Sequence, residues 1–114
     1  MSVCRLDPAS EVPDWALTGD FFSVTRTADE LSVMCPDDVV PEDVRCEGGW
    51  RALELEGPFE FSEVGVLISV AEPLAEAGVG IFAVSTFDTD YVLVKEKQLE
   101  SAVASLRGMG HEVL

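Results

Sequence analysis

Ser62 and Gly65 stand just ahead of an apolar run with helical period, where a helix would begin. A helix N-terminus presents unpaired backbone N–H groups and the positive end of the dipole, which suits a carboxylate. Gly65 has no Cβ, so a ligand can approach the backbone there. Glu63, Asp88 and Asp90 offer carboxylates to an ammonium or a basic side chain through charge-assisted hydrogen bonds. Phe87 offers an apolar wall. The same residues have plainer uses: Ser62 as a helix cap, Gly65 as a close-packing residue beneath a strand, Asp88 as a turn former.

Other chemistry is poorly served. His111 is the only histidine, and no serine or cysteine stands at a spacing that implies a nucleophile pair. Aspartates and glutamates are too numerous for any two to stand out as an acid/base couple. The GVGIF stretch at 78–82 lacks the phosphate-binding glycine pattern and opens a strand, not a helix. The lysines of VKEKQLE read as a solvated helix start. Trp15 and Trp50 read as core or interface residues, not as stacking platforms. Cys4, Cys35 and Cys46 are odd in number, form no CxxC and have no nearby histidine. Neither a disulfide framework nor a metal site is expected, only partly buried free thiols in a reducing compartment. No enzyme activity and no cofactor follow from these residues.

With 22 acidic and 7 basic residues the net charge is -15, which repels a phosphate backbone and an anionic membrane alike. The longest apolar run, 64–71, is broken by Gly65 and Ser69 and falls far short of a membrane span. The start MSVCRLDPAS lacks the basic and apolar regions of a signal peptide, so a cytoplasmic protein is expected. At 47% hydrophobic, the 114 residues can bury a real core.

The elements that must position the candidate residues are clearest in the second half. Residues 50–56 alternate, with Arg51, Leu53 and Leu55 on one face and Ala52, Glu54 and Glu56 on the other, a strand with one buried face. Gly57-Pro58 breaks it. Val64, Leu67, Ile68, Ala71, Leu74 and Ala75 then fall on one helical stripe, with Ser62 as N-cap and Gly78 as a left-handed stop. Pro73 removes a hydrogen bond to the carbonyl of Ser69 and should bend this helix. Residues 81–84 are apolar on both faces, as in a central strand, and form a hairpin with 91–94 through a polar turn at 85–90. A second amphipathic helix carries Leu99, Ala102, Val103 and Leu106 and ends near Gly108 and Gly110. Residues 111–114 supply a last short strand. The order is β-α-β-β-α-β, a split βαβ arrangement.

The first half overlays the second at a shift of 60 positions without a gap. Phe22 falls on Phe82, Val24 on Val84, Thr25 on Ser85, Glu30 on Asp90, Val33 on Leu93 and Met34 on Val94. This points to an internal duplication whose first copy has eroded helices. One helix must fit between Asp7 and Asp20, where Pro13 starts only a turn or two; the other would lie around 41–45. Two units are expected, 1–49 and 50–114, sharing one sheet or one core.

The stretch from GPFEFSEVGVLISVAEPLAEAGVGIFAVST through FDTDYVLVKEKQLESAVASLRGMGHEV resembles ACT domains. It is similar to the C-terminal ACT modules of aspartate kinases and the tandem modules of the CASTOR arginine sensors. The features that carry this are Gly65 at the helix start, LAEAGVGIFAVST leading into the second strand, and the return strand TDYVLVKE. FFSVTRTADELSVMCP resembles the first half of small bacterial proteins of the tandem group. The resemblance implies an α+β fold: a ferredoxin-like βαββαβ unit preceded by a degenerate ACT-like half, with antiparallel sheets carrying helices on one face. It implies a non-catalytic regulatory module, side-by-side pairing as a homodimer, an amino acid or related metabolite as effector, and a protein target. The alternative is a structural dimerisation or protein-interaction module that binds no small ligand. The resemblance places ligand contacts at Phe61, Ser62, Glu63, Val64, Gly65 and Val66, and at Ser85, Thr86, Phe87, Asp88, Thr89 and Asp90. Two departures from the aspartate kinase pattern are expected: no catalytic domain is read alongside the ACT-like stretch, and the first unit is degenerate.

Overall fold

In the computed structural model, which describes residues 1–56 and 65–114, the alternating segment after Gly49 forms β5 (Trp50–Glu54). The helical period is realised as α1 (Val66–Glu76), and the hairpin as β6 (Ile81–Ser85) and β7 (Asp90–Lys95). A 3-10 turn at Glu96–Gln98 leads into α2 (Leu99–Gly108). The sheet order is β5-β7-β6, antiparallel throughout, so β7 is the middle strand. The expectation that 81–84 is central is thereby corrected. β6 lies at an edge, with Ile81, Ala83 and Ser85 exposed, whereas Val92, Leu93 and Val94 of β7 are all fully buried. An apolar run does not by itself distinguish a middle strand from an edge.

Both helices pack on one face of this sheet. Val92 and Val94, with Leu53 and Leu55 beside them, meet Val70 and Leu74 of α1 and Ala102 and Leu106 of α2. The buried stripe of α1 therefore runs through Leu67, Val70 and Leu74, the i, i+3, i+7 spacing of one helix face. Ile68 and Ala75, expected on that stripe, are exposed, and Ile68 is 63% so. On the other face, Leu93 lies between Ala52 and Phe82 in register. Beside it the Lys95 ammonium sits 4.8 Å from the ring centre of Trp50, its partner across the β5–β7 pairing.

Each helix ends in the same manner. After α1 the N–H of Val79 donates to Leu74 O and that of Gly78 to Ala75 O, with Gly78 at φ 76°. After α2, His111 donates to Leu106 O and Gly110 to Arg107 O, with Gly110 at φ 92°. These paired bonds cap the last carbonyls through a left-handed glycine. Inside α1, Pro73 leaves the Ser69 carbonyl without its helical donor. His111 Nε2 lies 2.8 Å from that oxygen and takes the place of the missing N–H. Arg107 Nη2 donates to Val113 O at 2.8 Å. Residues 111–114 are thus held by side chains and do not form the expected fourth strand.

The compact units are Met1–Gly49 and Trp50–Leu114. The first contains β1 (Ser2–Leu6), β2 (Ser23–Arg26), β3 (Leu31–Cys35) and β4 (Arg45–Glu47) in the antiparallel order β2-β3-β1-β4. That is the ferredoxin-like strand order, with 3-10 turns at Asp14–Leu17 and Asp37–Val39 where the helices would be. Pro13 precedes the first turn as expected. The second was expected around 41–45 and lies earlier, because Arg45 already belongs to β4. Cys4, Leu31, Val33 and Cys35 form this unit's core with Ala16, flanked by Leu6, Trp15, Val24, Val39, Val40 and Val44. Arg26 ties the loop after β1 in place by donating to the carbonyls of Pro8 and Ser10. Asp37 gathers the chain start and the exit from β4, accepting from the N-terminal ammonium at 3.0 Å, Ser2 Oγ at 2.5 Å and Gly49 N at 3.2 Å. Burial alone would raise its pKa. These hydrogen bonds and the ammonium charge outweigh that and hold the carboxyl below its usual range.

The two hairpins do correspond, but not at a shift of 60. Val24 pairs with Val33, and Ala83 with Val92, so equivalent residues are 59 apart. At that offset Thr27 matches Thr86, Asp29 matches Asp88 and Val33 matches Val92. A one-residue error exchanges the two faces of a strand.

Candidate functional site

The hairpin turn between β6 and β7 is built by two threonines. The N–H of Thr86 donates to Thr89 O at 2.8 Å, and the Thr86 hydroxyl donates to the same oxygen while accepting the N–H of Thr89. Thr89, 8% exposed, donates its own hydroxyl to Leu55 O at 2.5 Å. Leu55 N in turn donates to Asp90 O at 3.0 Å. The turn is therefore fastened to the end of β5, just before the chain leaves for the 57–64 segment. The turn of the first hairpin uses the same chemistry, with Thr27 Oγ1 accepting from Asp29 N and Glu30 N. A threonine hydroxyl that satisfies backbone N–H groups ahead of it stabilises such turns.

The remaining candidates in this segment divide by accessibility. Ser85, Thr86, Phe87 and Asp88 are exposed, Phe87 at 78%, and Asp90 is half-buried where β7 begins. Among the described residues the carboxylates of Asp88 and Asp90 make no hydrogen bond or ion pair, so Asp88 does not shape the turn with its side chain; Thr86 does. The chemistry still on offer is two anionic acceptors, beside the exposed ring of Phe87. Next along β7, Tyr91 faces Glu54 across the β5 pairing. Partial burial and that carboxylate hold the Tyr91 phenol above its ordinary range.

At the other segment, Phe61, Ser62, Glu63 and Val64 lie outside the described residues. α1 begins at Val66, with Gly65 at the cap position in a left-handed conformation, φ 86° and ψ 0°. Gly65 O accepts from Ser69 N at 2.9 Å, the first helical bond. Among the described residues a Cβ built on Gly65 meets nothing within 4 Å, and its left-handed backbone angle by itself favours glycine. The N–H groups of the first turn point out of the helix start, as at any N-terminus. Among the described residues neither Gly65 nor Val66 hydrogen-bonds to the 85–90 turn. The structure thus joins the turn to β5. Leu55 is the partner that sequence reasoning overlooked, because a main-chain carbonyl leaves no mark in residue type. The repeated threonine at the head of both turns was the available signal.

Among the described residues no group of three or more His, Cys, Asp or Glu is placed to hold a metal ion, and no helix is long and apolar enough to cross a membrane.

Comparison with known proteins places this geometry in a family. Residues 45–108 match a family model described as an ACT domain, and residues 1–43 match a second model describing an N-terminal domain. The cytosolic arginine sensor for mTORC1 subunit 1 of Homo sapiens is 36% identical over 59 residues, covering 51% of this chain. Its Mus musculus counterpart is 32% identical over the same length. The chain spans only 18% of these relatives' length. A crystal structure of a protein from Agobacterium tumefaciens superposes with a TM-score of 0.94 at 45% identity, covering 99% of this chain and 84% of that one. A protein of unknown function from Vibrio cholerae shares the fold alone, with a TM-score of 0.71 at 14% identity over 96% of this chain and 83% of that one. On the match of residues 45–108, the chain belongs to the ACT-domain family.

Proposed function

We propose that the chain is a non-catalytic regulatory module of the cytoplasm whose 50–114 unit binds an amino acid, and that it works as a homodimer acting on a protein target. The ACT-domain match over 45–108 carries this reading. The proposed site takes the ligand carboxylate at the start of α1, at Gly65 and Val66, with Phe61, Ser62, Glu63 and Val64, which lie outside the described residues, proposed as further contacts. The 85–90 segment faces the ligand's cationic end: Asp88 and Asp90 supply the charge, Ser85, Thr86 and Thr89 the frame, and Phe87 an apolar wall. Similarity to proteins named as arginine sensors, together with two carboxylates uncommitted among the described residues, makes arginine the first ligand to test. The 1–49 unit is proposed to be a degenerate copy of the same fold, supported by the shared strand order and the shared threonine turn.

The test is thermal stability measured against each of the twenty amino acids. A ligand at a hundred times its dissociation constant adds roughly 2.7 kcal/mol. A flat response to all twenty would sink the sensor reading and leave a structural or protein-interaction module. Light scattering over micromolar concentrations tests the dimer: the sheets end in exposed edge strands such as β6, which need a partner or a cover. A monomer throughout would refute it.

A further inference from the structure

We propose that Cys4 and Cys46 form an oxidisable dithiol that closes as a cross-strand disulfide when a hydroperoxide reaches the exposed Cys46. The two residues stand directly opposite one another in the β1–β4 pairing. Directly opposed residues of an antiparallel pair have Cα atoms about 4.5 or 5.5 Å apart, and their side chains share a face. Both spacings fall inside the roughly 4.4–6.8 Å that a disulfide spans.

Cys35, the third member of the group, is placed differently. It opposes Ser2, and Cys4 opposes Val33, so Cys4 and Cys35 are diagonal neighbours. Diagonal residues have Cα atoms about 7–8 Å apart, beyond the roughly 4.4–6.8 Å between Cα atoms that the bond spans. Cys35 is also fully buried.

Burial, and then the neighbouring Cys35 and Cys46, push the Cys4 thiol up to about 12. Cys4 is therefore the resolving thiol and Cys46, exposed on the short strand β4, the one that meets oxidant. In the first step the Cys46 thiolate displaces hydroxide from the hydroperoxide, forming a sulfenic acid. In the second the Cys4 sulfur attacks that sulfur, and its proton leaves with the departing hydroxide as water. With hydrogen peroxide, two thiols and one peroxide give one disulfide and two waters. The bond would stitch β4 to β1 and close most of Met1–Gly49 into a loop.

The experiment uses the full chain, reduced and then treated with hydrogen peroxide. Titratable thiols should fall from three to one, and the intact monomer should lose two hydrogens, about 2 Da. Trypsin cuts after Arg5, Arg26, Arg45 and Arg51 and leaves the three cysteines on separate peptides. The expected linked pair joins the peptide ending at Arg5 to the one beginning at Cys46. Cys46→Ser, at an exposed position, should keep both remaining thiols under the same treatment. A link through Cys35, a bond between two copies, retention of all three thiols, or sulfinic acid at Cys46 without a bond would each overturn the proposal.

Discussion

Pro73 and His111 should be energetically coupled through the carbonyl of Ser69, and a double-mutant cycle measures this directly. In α1 the residue at 73 is the one whose N–H would reach Ser69 O, and proline has none to give. His111 Nε2 supplies the substitute contact at 2.8 Å. A hydrogen bond of this kind contributes about 0.5–1.5 kcal/mol net. The site is not fully buried, so the lower half of that range is expected. His111→Ala alone should cost about 0.5–1 kcal/mol. In a Pro73→Ala background the alanine N–H takes over the Ser69 carbonyl, and the same histidine change should cost only a few tenths, leaving a coupling of about 0.5 kcal/mol. The cycle cancels the packing lost with the buried proline ring and the gain in helix propensity, since both appear in two of its four members. Urea unfolding followed by Trp50 fluorescence in a Trp15→Phe parent isolates the 50–114 unit. Midpoints compared at a common slope avoid the extrapolation error. If His111→Ala costs the same in both backgrounds, the histidine is not standing in for the missing donor.

Three further outcomes are expected. Gly65→Ala should lose about 1–2 kcal/mol of stability from the left-handed backbone, since among the described residues the new methyl meets nothing within 4 Å; a neutral result in urea melts would contradict that backbone angle, and Gly65→Asn should recover most of the loss. Asp90→Asn should weaken the amino acid that emerges from the screen by about 1.5–3 kcal/mol, the contribution of a charged hydrogen bond, with unfolding unchanged; calorimetry that finds equal affinity removes Asp90 from the proposed site. Asp37 has a folded pKa below its unfolded value, so the stability it contributes is complete above about pH 4 and disappears as pH falls through the folded value. The gap between parent and Asp37→Asn melting points should therefore be largest near neutrality and shrink as pH falls through the folded pKa, and a gap that widens in acid would refute the assigned sign.

Much of the 50–114 unit is legible in the sequence because its signals are local. The helical period places α1 and α2, and Gly78 and Gly110 mark their ends because only a residue at ease with positive φ closes a helix that way. What is not local is lost. β1 carries Ser2 and Cys4 on its inward face, residues that do not register as an apolar alternation, yet they are 3% and 1% exposed. β6 reads as a central strand because four apolar residues in a row say nothing about what lies beyond the edge. The offset of the repeat is the most instructive miss. At 60, two apolar identities, Phe22 with Phe82 and Val24 with Val84, draw the eye. At 59 the turn chemistry coincides, and the turn sets the register that sorts each strand's side chains between core and opposite face.

The same lesson bears on the proposed site. Of the residues in 85–90, sequence reasoning weighs Asp88 both as a turn former and, with Asp90, as a ligand carboxylate, and names Thr86 and Thr89 as ligand contacts; in the structure it is the threonines that build the turn. Thr86 and Thr89 both direct their hydroxyl protons to main-chain carbonyls, one within the turn and one at Leu55. Asp88 and Asp90 keep their carboxylates uncommitted among the described residues. A segment whose threonine hydroxyls are already used, and whose anionic acceptors are uncommitted among the described residues, can discriminate ligands mainly by positive charge. In the proposed site, then, the carboxylate common to all amino acids is met by the start of α1, and selection falls to the turn. Basic amino acids should therefore outrank neutral ones of similar size in the stability screen, and a neutral amino acid binding more tightly than arginine or lysine would mean that the turn does not face the ligand as proposed.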